Sequence, residues 1–96
     1  MSALQGIRVL DLSRVLAGPW CGQILADLGA EVIKIERPKV GDDTRTWGPP
    51  WMMGSSGEMT RESGYFQCAN RNKYSVAIDI ATAEGQALVR DIAMNS

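Results

Sequence analysis

The sequence predicts an α/β fold built of Rossmann-like βαβ units with parallel strands. Three features carry that prediction. A β-rich run, Ile7-Arg8-Val9-Leu10-Asp11, leads into a helix that opens at Ala17-Gly18-Pro19. A second run, Glu31 to Ile35, contains the β-branched Val32, Ile33 and Ile35. The links between them are short. Strand–helix–strand with such links makes the strands parallel and the crossover right-handed.

Each element has its own signal. Ile7 to Asp11 reads as a strand buried on most sides, with Asp11-Leu12-Ser13-Arg14 as its exit. Pro19 suits a first helical turn. Cys21, Ile24, Leu25 and Leu28 follow at i, i+3, i+4 and i+7, a single apolar stripe expected to face the core. Gly29 is placed to end that helix in a left-handed conformation. Residues 38–60 then read as a long loop, holding Gly41, Gly48, Pro49, Pro50, Gly54 and Gly57. Loops of this length in a domain are usually functional or disordered. Trp47, Trp51, Met52 and Met53 inside it argue for packing, as a lid over a ligand or as a surface for a partner. Gly64 to Asn70 reads as a short helix, Arg71-Asn72-Lys73 as a polar turn and Tyr74 to Asp79 as a third strand. Thr82 is placed to cap a last helix whose Gly85, Leu88, Val89 and Ile92 share one face. A βαβαβ pattern calls for another strand after Ser96, so the reading is truncation.

Composition narrows the function. Of the 96 residues, 45% are apolar and 22% charged, ordinary for a soluble globular chain. The net charge of −1 lacks the basic surface that nucleic-acid binders need. No apolar run approaches the roughly 20 residues that span a bilayer, and the N-terminus lacks the features of a signal peptide. A cytoplasmic location is the expectation. Cys21 and Cys68 form no CxxC pair and read as reduced, buried thiols. There is no histidine, so Ser–His–Asp, Cys–His and HExxH chemistry is impossible within these residues, and no metal site is expected.

What chemistry remains gathers at turns. The turn Arg14-Val15-Leu16-Ala17-Gly18-Pro19 opens a helix whose free N–H groups and partial positive charge suit an anion. It is neither GxGxxG nor a P-loop, and on the residues alone an ordinary βα turn is the favoured reading. Glu36 stands where a dinucleotide-binding fold holds a ribose hydroxyl, and Arg37 beside it favours a phosphate on or near that ribose. NADP and coenzyme A both satisfy this, and a solvated surface pair is the plain alternative. Asp42-Asp43-Thr44-Arg45 reads as a turn with local pairing rather than as paired catalytic acids. Asn70-Arg71-Asn72-Lys73 reads as a surface turn, or as a group that contacts phosphates or braces the site.

Five ordered blocks carry a family resemblance. They are Leu4-Gln5-Gly6-Ile7-Arg8-Val9-Leu10-Asp11-Leu12, Arg14 to Pro19, Leu28 to Pro38, Gly41-Asp42-Asp43-Thr44-Arg45, and Asn70 to Ser75. Together they closely resemble the start of class III CoA-transferases, the CaiB/BaiF family, over nearly the whole chain. The resemblance implies that residues 1–96 are the N-terminal portion of a CoA-binding α/β domain, the large domain of such an enzyme. It implies an interlocked homodimer in which each subunit is a ring threaded through the other. It implies transfer of coenzyme A from an acyl-CoA to a free carboxylic acid through an aspartate that attacks the thioester. That aspartate lies beyond Ser96 in the family, so no catalytic residue is assigned. The family's CoA contacts fall on Leu16 and Ala17 in the first turn, on Arg37 at the strand end, and on Ile78, Asp79, Ile80 and Ala81. Leu16 stands where formyl-CoA transferases have Gln. With Thr44-Arg45-Thr46-Trp47-Gly48-Pro49-Pro50, it looks more like the dicarboxylate branch, such as succinyl-CoA:glutarate CoA-transferase.

Two alternatives stand beside this reading. An α-methylacyl-CoA racemase resembles the family and binds CoA similarly, but requires acid–base residues including a histidine. A non-catalytic CoA-binding or oligomerisation module of these residues alone would have only a marginal core.

Overall fold

The computed structural model describes residues 2–96. Strand β1 (Arg8–Asp11) leads into helix α1 (Ala17–Asp27) and strand β2 (Glu31–Glu36). A 3₁₀ turn (Asp43–Thr46) precedes the hairpin of β3 (Trp51–Met53) and β4 (Met59–Ser63). Helix α2 (Gly64–Asn70), strand β5 (Lys73–Ala77) and helix α3 (Ala83–Met94) complete the chain.

The main sheet is parallel, in the order β1-β2-β5. Leu10 aligns with Ile33, and Ile33 with Tyr74. All three strands therefore point their C-terminal ends the same way, and Ile78 extends the ladder by donating to the Glu36 carbonyl at 3.0 Å. The expected βαβ arrangement is present. Its first strand is an edge, however, with Ile7 and Arg8 exposed and Val9 and Leu10 only half-buried, rather than a strand enclosed on most sides. The centre is β2, where Val32 is fully buried against Ala26 and Ala30.

Helix α1 corrects the expected stripe. Its buried residues are Pro19, Gly22, Gln23 and Ala26, while Cys21, Ile24 and Leu28 are exposed. Small residues on the inner face let the helix approach the sheet closely. Gln23 belongs inside because its side-chain oxygen accepts the Arg71 backbone N–H at 2.9 Å, which satisfies a buried polar group. Cys68 is also exposed, so neither thiol is buried as expected. Gly29 ends the helix at φ +105°, a conformation that side chains resist.

Residues 38–60 are not one loop. The Asp42 carboxylate caps the 3₁₀ turn by accepting the Thr44 N–H, and Trp51 to Met53 pair antiparallel with β4. The hairpin's methionines Met52, Met53 and Met59 are exposed, and contacts at its base join it to the preceding turn. Trp47 meets Tyr65 edge-on at 5.9 Å between ring centres, and the Ser63 hydroxyl donates to the Trp47 carbonyl. Thr82 caps α3 as expected, accepting the Gly85 N–H at 3.0 Å. Among the described residues, α3 buries only Gly85.

Candidate functional site

The C-terminal ends of the parallel strands form an open cavity of about 440 Å³. Ligands of open α/β sheets bind at this edge. Leu12, Ser13 and Arg14 line it after β1, Arg37 after β2, and Ile78 to Ala81 after β5. Five of the seven expected contacts, Arg37, Ile78, Asp79, Ile80 and Ala81, thus share one cavity. Leu16 and Ala17 do not line it. They form the start of α1, with Leu16 at the cap position and partly exposed. No side chain caps that helix, so its first-turn N–H groups keep their capacity for an anion.

Arg37 is exposed, and its guanidinium donates to the Asp43 carboxylate at 2.7 Å. An exposed pair of this kind is weak and easily exchanged. The wall after β5 is set by a local turn. Asp79 accepts the Ala81 N–H on its carboxylate at 3.0 Å and the Thr82 hydroxyl on its carbonyl at 2.9 Å.

Glu36 is not free for a ribose. One carboxylate oxygen accepts the Asp42 N–H at 2.8 Å and Arg45 Nε at 2.7 Å. The other accepts the second Arg45 nitrogen at 2.8 Å and the Ser75 hydroxyl. These four donors fill the acceptor positions of a carboxylate. Burial alone would raise the Glu36 pKa, but the bonds from Arg45, Ser75 and Asp42 take it from 4.5 down to about 2. Arg45 in turn lies 3.8 Å over the Phe66 ring. Glu36 is a structural hub: it is engaged where a ribose contact was expected, and the alternative, a solvated Glu36–Arg37 pair, does not form either.

Two buried ion pairs were missed by the sequence reading, and the first lines the cavity. Lys34 Nζ meets Asp42 at 2.8 Å, with both side chains almost wholly enclosed. Lys73 Nζ meets Asp11 at 2.8 Å and also donates to the Pro19 carbonyl and to Asn70 Oδ1. Burial tends to raise the Asp11 pKa, but bonds from Lys73 and Ser13 hold it below the usual carboxylate range. Burial pulls the Lys73 ammonium below its ordinary value, which Asp11 partly offsets. The Asn70–Lys73 segment is therefore a brace. Arg71 and Asn72 both bond Asp27, and no phosphate contact is needed to account for these residues. One signal was available in the sequence. Lys34 sits among Val32, Ile33 and Ile35 in a central strand, and a lysine there demands a buried partner.

Among the described residues, no group of His, Cys, Asp and Glu is arranged to hold a metal ion, and no helix is long and apolar enough to cross a membrane.

Comparison with known proteins gives this geometry a context. CoA-transferase family III matches residues 4–96. A succinate–glutarate CoA-transferase of Agrobacterium fabrum is 56% identical over 87 residues, which cover 91% of this chain and 22% of that protein. A succinyl-CoA:glutarate CoA-transferase of Mus musculus is 52% identical over 97% of this chain and 20% of that protein. The crystal structure of a CaiB/BaiF family protein from Brucella suis superposes with a TM-score of 0.87 at 49% identity, covering 99% of this chain and 24% of that one. The chain spans about a fifth to a quarter of the length of these relatives. Matched across almost all of its residues in both sequence and fold, the chain belongs to CoA-transferase family III.

Proposed function

We propose that these residues are the N-terminal portion of an enzyme that transfers coenzyme A from an acyl-CoA to a free dicarboxylic acid. The observation that carries this reading is the convergence of Arg37 with Ile78, Asp79, Ile80 and Ala81 on one cavity at the strand ends, in a chain of this family. The arginine supplies a positive charge for the nucleotide end of CoA, and Leu16 and Ala17 begin a helix suited to an anionic group. Ile78 and Ile80 supply apolar surface beside the adenine.

The nucleophile is an aspartate carried by residues outside this chain. Its carboxylate attacks the donor thioester, and the CoA thiolate leaves to give a mixed anhydride. The thiolate then attacks the aspartyl carbonyl, releasing the donor acid and leaving an enzyme–CoA thioester. The acceptor carboxylate repeats the exchange in reverse. The same reading carries an interlocked homodimer and a cytoplasmic location.

The test is an exchange assay on the protein isolated from its own source. Its intact mass is expected to be several times that of 96 residues. Succinyl-CoA with glutarate is expected to yield glutaryl-CoA and succinate. Exchange with monocarboxylic acids only would refute the dicarboxylate assignment. Epimerisation of a 2-methylacyl-CoA without exchange would identify the racemase alternative. CoA binding without either reaction in a 96-residue protein would leave a binding module.

A further inference from the structure

The turn that begins α1 is held by a device that nothing in the family match assigns. Val15 sits at φ +75°, a left-handed conformation that is costly for a β-branched residue. Such strain persists only where the surroundings enforce it. The enforcing groups are Asp42 and Lys34. The Val15 N–H donates to both Asp42 carboxylate oxygens, at 3.2 and 3.1 Å. Lys34 Nζ donates to Asp42 Oδ2 at 2.8 Å and to the Ser13 carbonyl at 3.0 Å. One buried ion pair therefore grips the chain on both sides of Arg14.

Asp42 is itself fixed. Its Oδ1 accepts the Thr44 N–H at 2.9 Å and the Thr44 hydroxyl at 2.8 Å, and Thr44 is fully buried. Its own N–H is held by Glu36. Burial alone would raise the Asp42 pKa, but the bonds from Lys34 and Thr44 keep it below the usual carboxylate range. The carboxylate thus stays an acceptor for Val15. Lys34, Asp42 and Ser13 also line the strand-end cavity.

We infer that Asp42, locked by Lys34, is a positioning residue that holds Val15, Leu16 and Ala17 in the conformation that receives the ligand. This rests on the proposed reading of Leu16 and Ala17 as CoA contacts. The Asp42 side chain is wholly enclosed. It acts by holding the strained turn before the ligand arrives, so that binding does not spend free energy on ordering it.

Two variants of the full-length protein test this, Asp42→Asn and the charge-free double variant Lys34→Met with Asp42→Asn. The double variant covers the case in which the single one leaves Lys34 buried without a counter-ion and fails to fold. Amide hydrogen exchange reads the turn without any ligand. The Val15, Leu16 and Ala17 amides are expected to exchange about tenfold faster or more, with the Ala26 and Val32 amides unchanged relative to global stability. Steady-state kinetics read the ligand. KM for acyl-CoA is expected to rise about tenfold, with kcat and the KM for the acceptor acid within about twofold. Turn amides as protected as in the wild type, or an unchanged acyl-CoA KM in the folded variants, would overturn the inference. If the wild type binds no CoA while turn exchange still rises in the variants, the CoA reading fails and the clamp on the turn stands.

Discussion

Arg45 closes on Glu36 through two parallel bonds of 2.7 and 2.8 Å, and this pair joins the end of β2 to the 3₁₀ turn. The Glu36 pKa falls from 4.5 in an unstructured chain to about 2 in the fold. A depressed carboxylate pKa stabilises the native state fully above pH 4.5, and that contribution is lost as pH falls towards about 2. Acid titration of stability is therefore expected to show a steep limb in this window. Glu36→Gln should flatten the limb and cost about 1–3 kcal/mol at neutral pH, since it breaks a charge-assisted pair that is partly open to solvent on the Arg45 side. Urea midpoints at several pH values decide it. Parallel acid limbs in wild type and variant would show that Glu36 does not carry the dependence.

Gly22 faces the buried Asp11–Lys73 pair from the inner side of α1. A Cβ there would lie 2.8 Å from Asp11 Oδ2 and 3.3 Å from Lys73 Nζ. Helix propensity favours Gly22→Ala by about 1 kcal/mol. The packing argument opposes it, because an ion pair that is also bonded to Ser13, Pro19 and Asn70 has little room to move. Overpacking of this kind costs about 1–3 kcal/mol, so the net change is expected to be destabilising. A gain in stability would mean that the pair shifts freely.

Arg37 and Asp43 make opposite predictions for the ligand. Asp43 occupies the Arg37 guanidinium, so an incoming phosphate competes with that carboxylate. Arg37→Ala should weaken CoA by more than it weakens dephospho-CoA, a difference of about 1.5–3 kcal/mol for a charged hydrogen bond. Asp43→Asn should tighten CoA severalfold, most clearly at low salt, where charge effects are least screened. Calorimetric titration of both ligands into both variants of the full-length protein separates the effects. Equal weakening of the two ligands by Arg37→Ala would show that Arg37 does not read the 3′-phosphate.

Much of this arrangement was legible from local signals. The βαβ order, the Gly29 helix end and the Thr82 cap follow from turn chemistry and strand patterning, whereas residues 78–81, which share a cavity with Arg37, were pointed to only by the family resemblance. What escaped depends on tertiary partners. Periodicity counts apolar residues, so it selected Cys21, Ile24, Leu25 and Leu28 and passed over Gly22 and Gln23, which are small or polar yet buried. Asp42 looked like a turn residue because its role needs Lys34 from another element, and the strand pattern around Lys34 calls for a buried partner without naming which one. The hairpin was hidden because β3 is only three residues long and is flanked by glycine and proline.

The outer face of α1 supplies a last prediction. Leu16, Trp20, Ile24 and Leu28 recur every four residues along it and all four are exposed, with Trp20 at 62%. Because Ala26 and Gly22 pack inward at the same time, α1 is apolar on more than one side. A helix of that kind belongs inside a larger molecule. On the proposal that residues 1–96 open a longer enzyme, this face is internal to it. Trp20→Ser in the full-length protein is then expected to cost about 3–5 kcal/mol, as for loss of a core aromatic. A surface tryptophan would change stability by no more than about 0.5 kcal/mol. Equilibrium unfolding of wild type and variant distinguishes the two, and the smaller value would mean that solvent, not protein, covers this face.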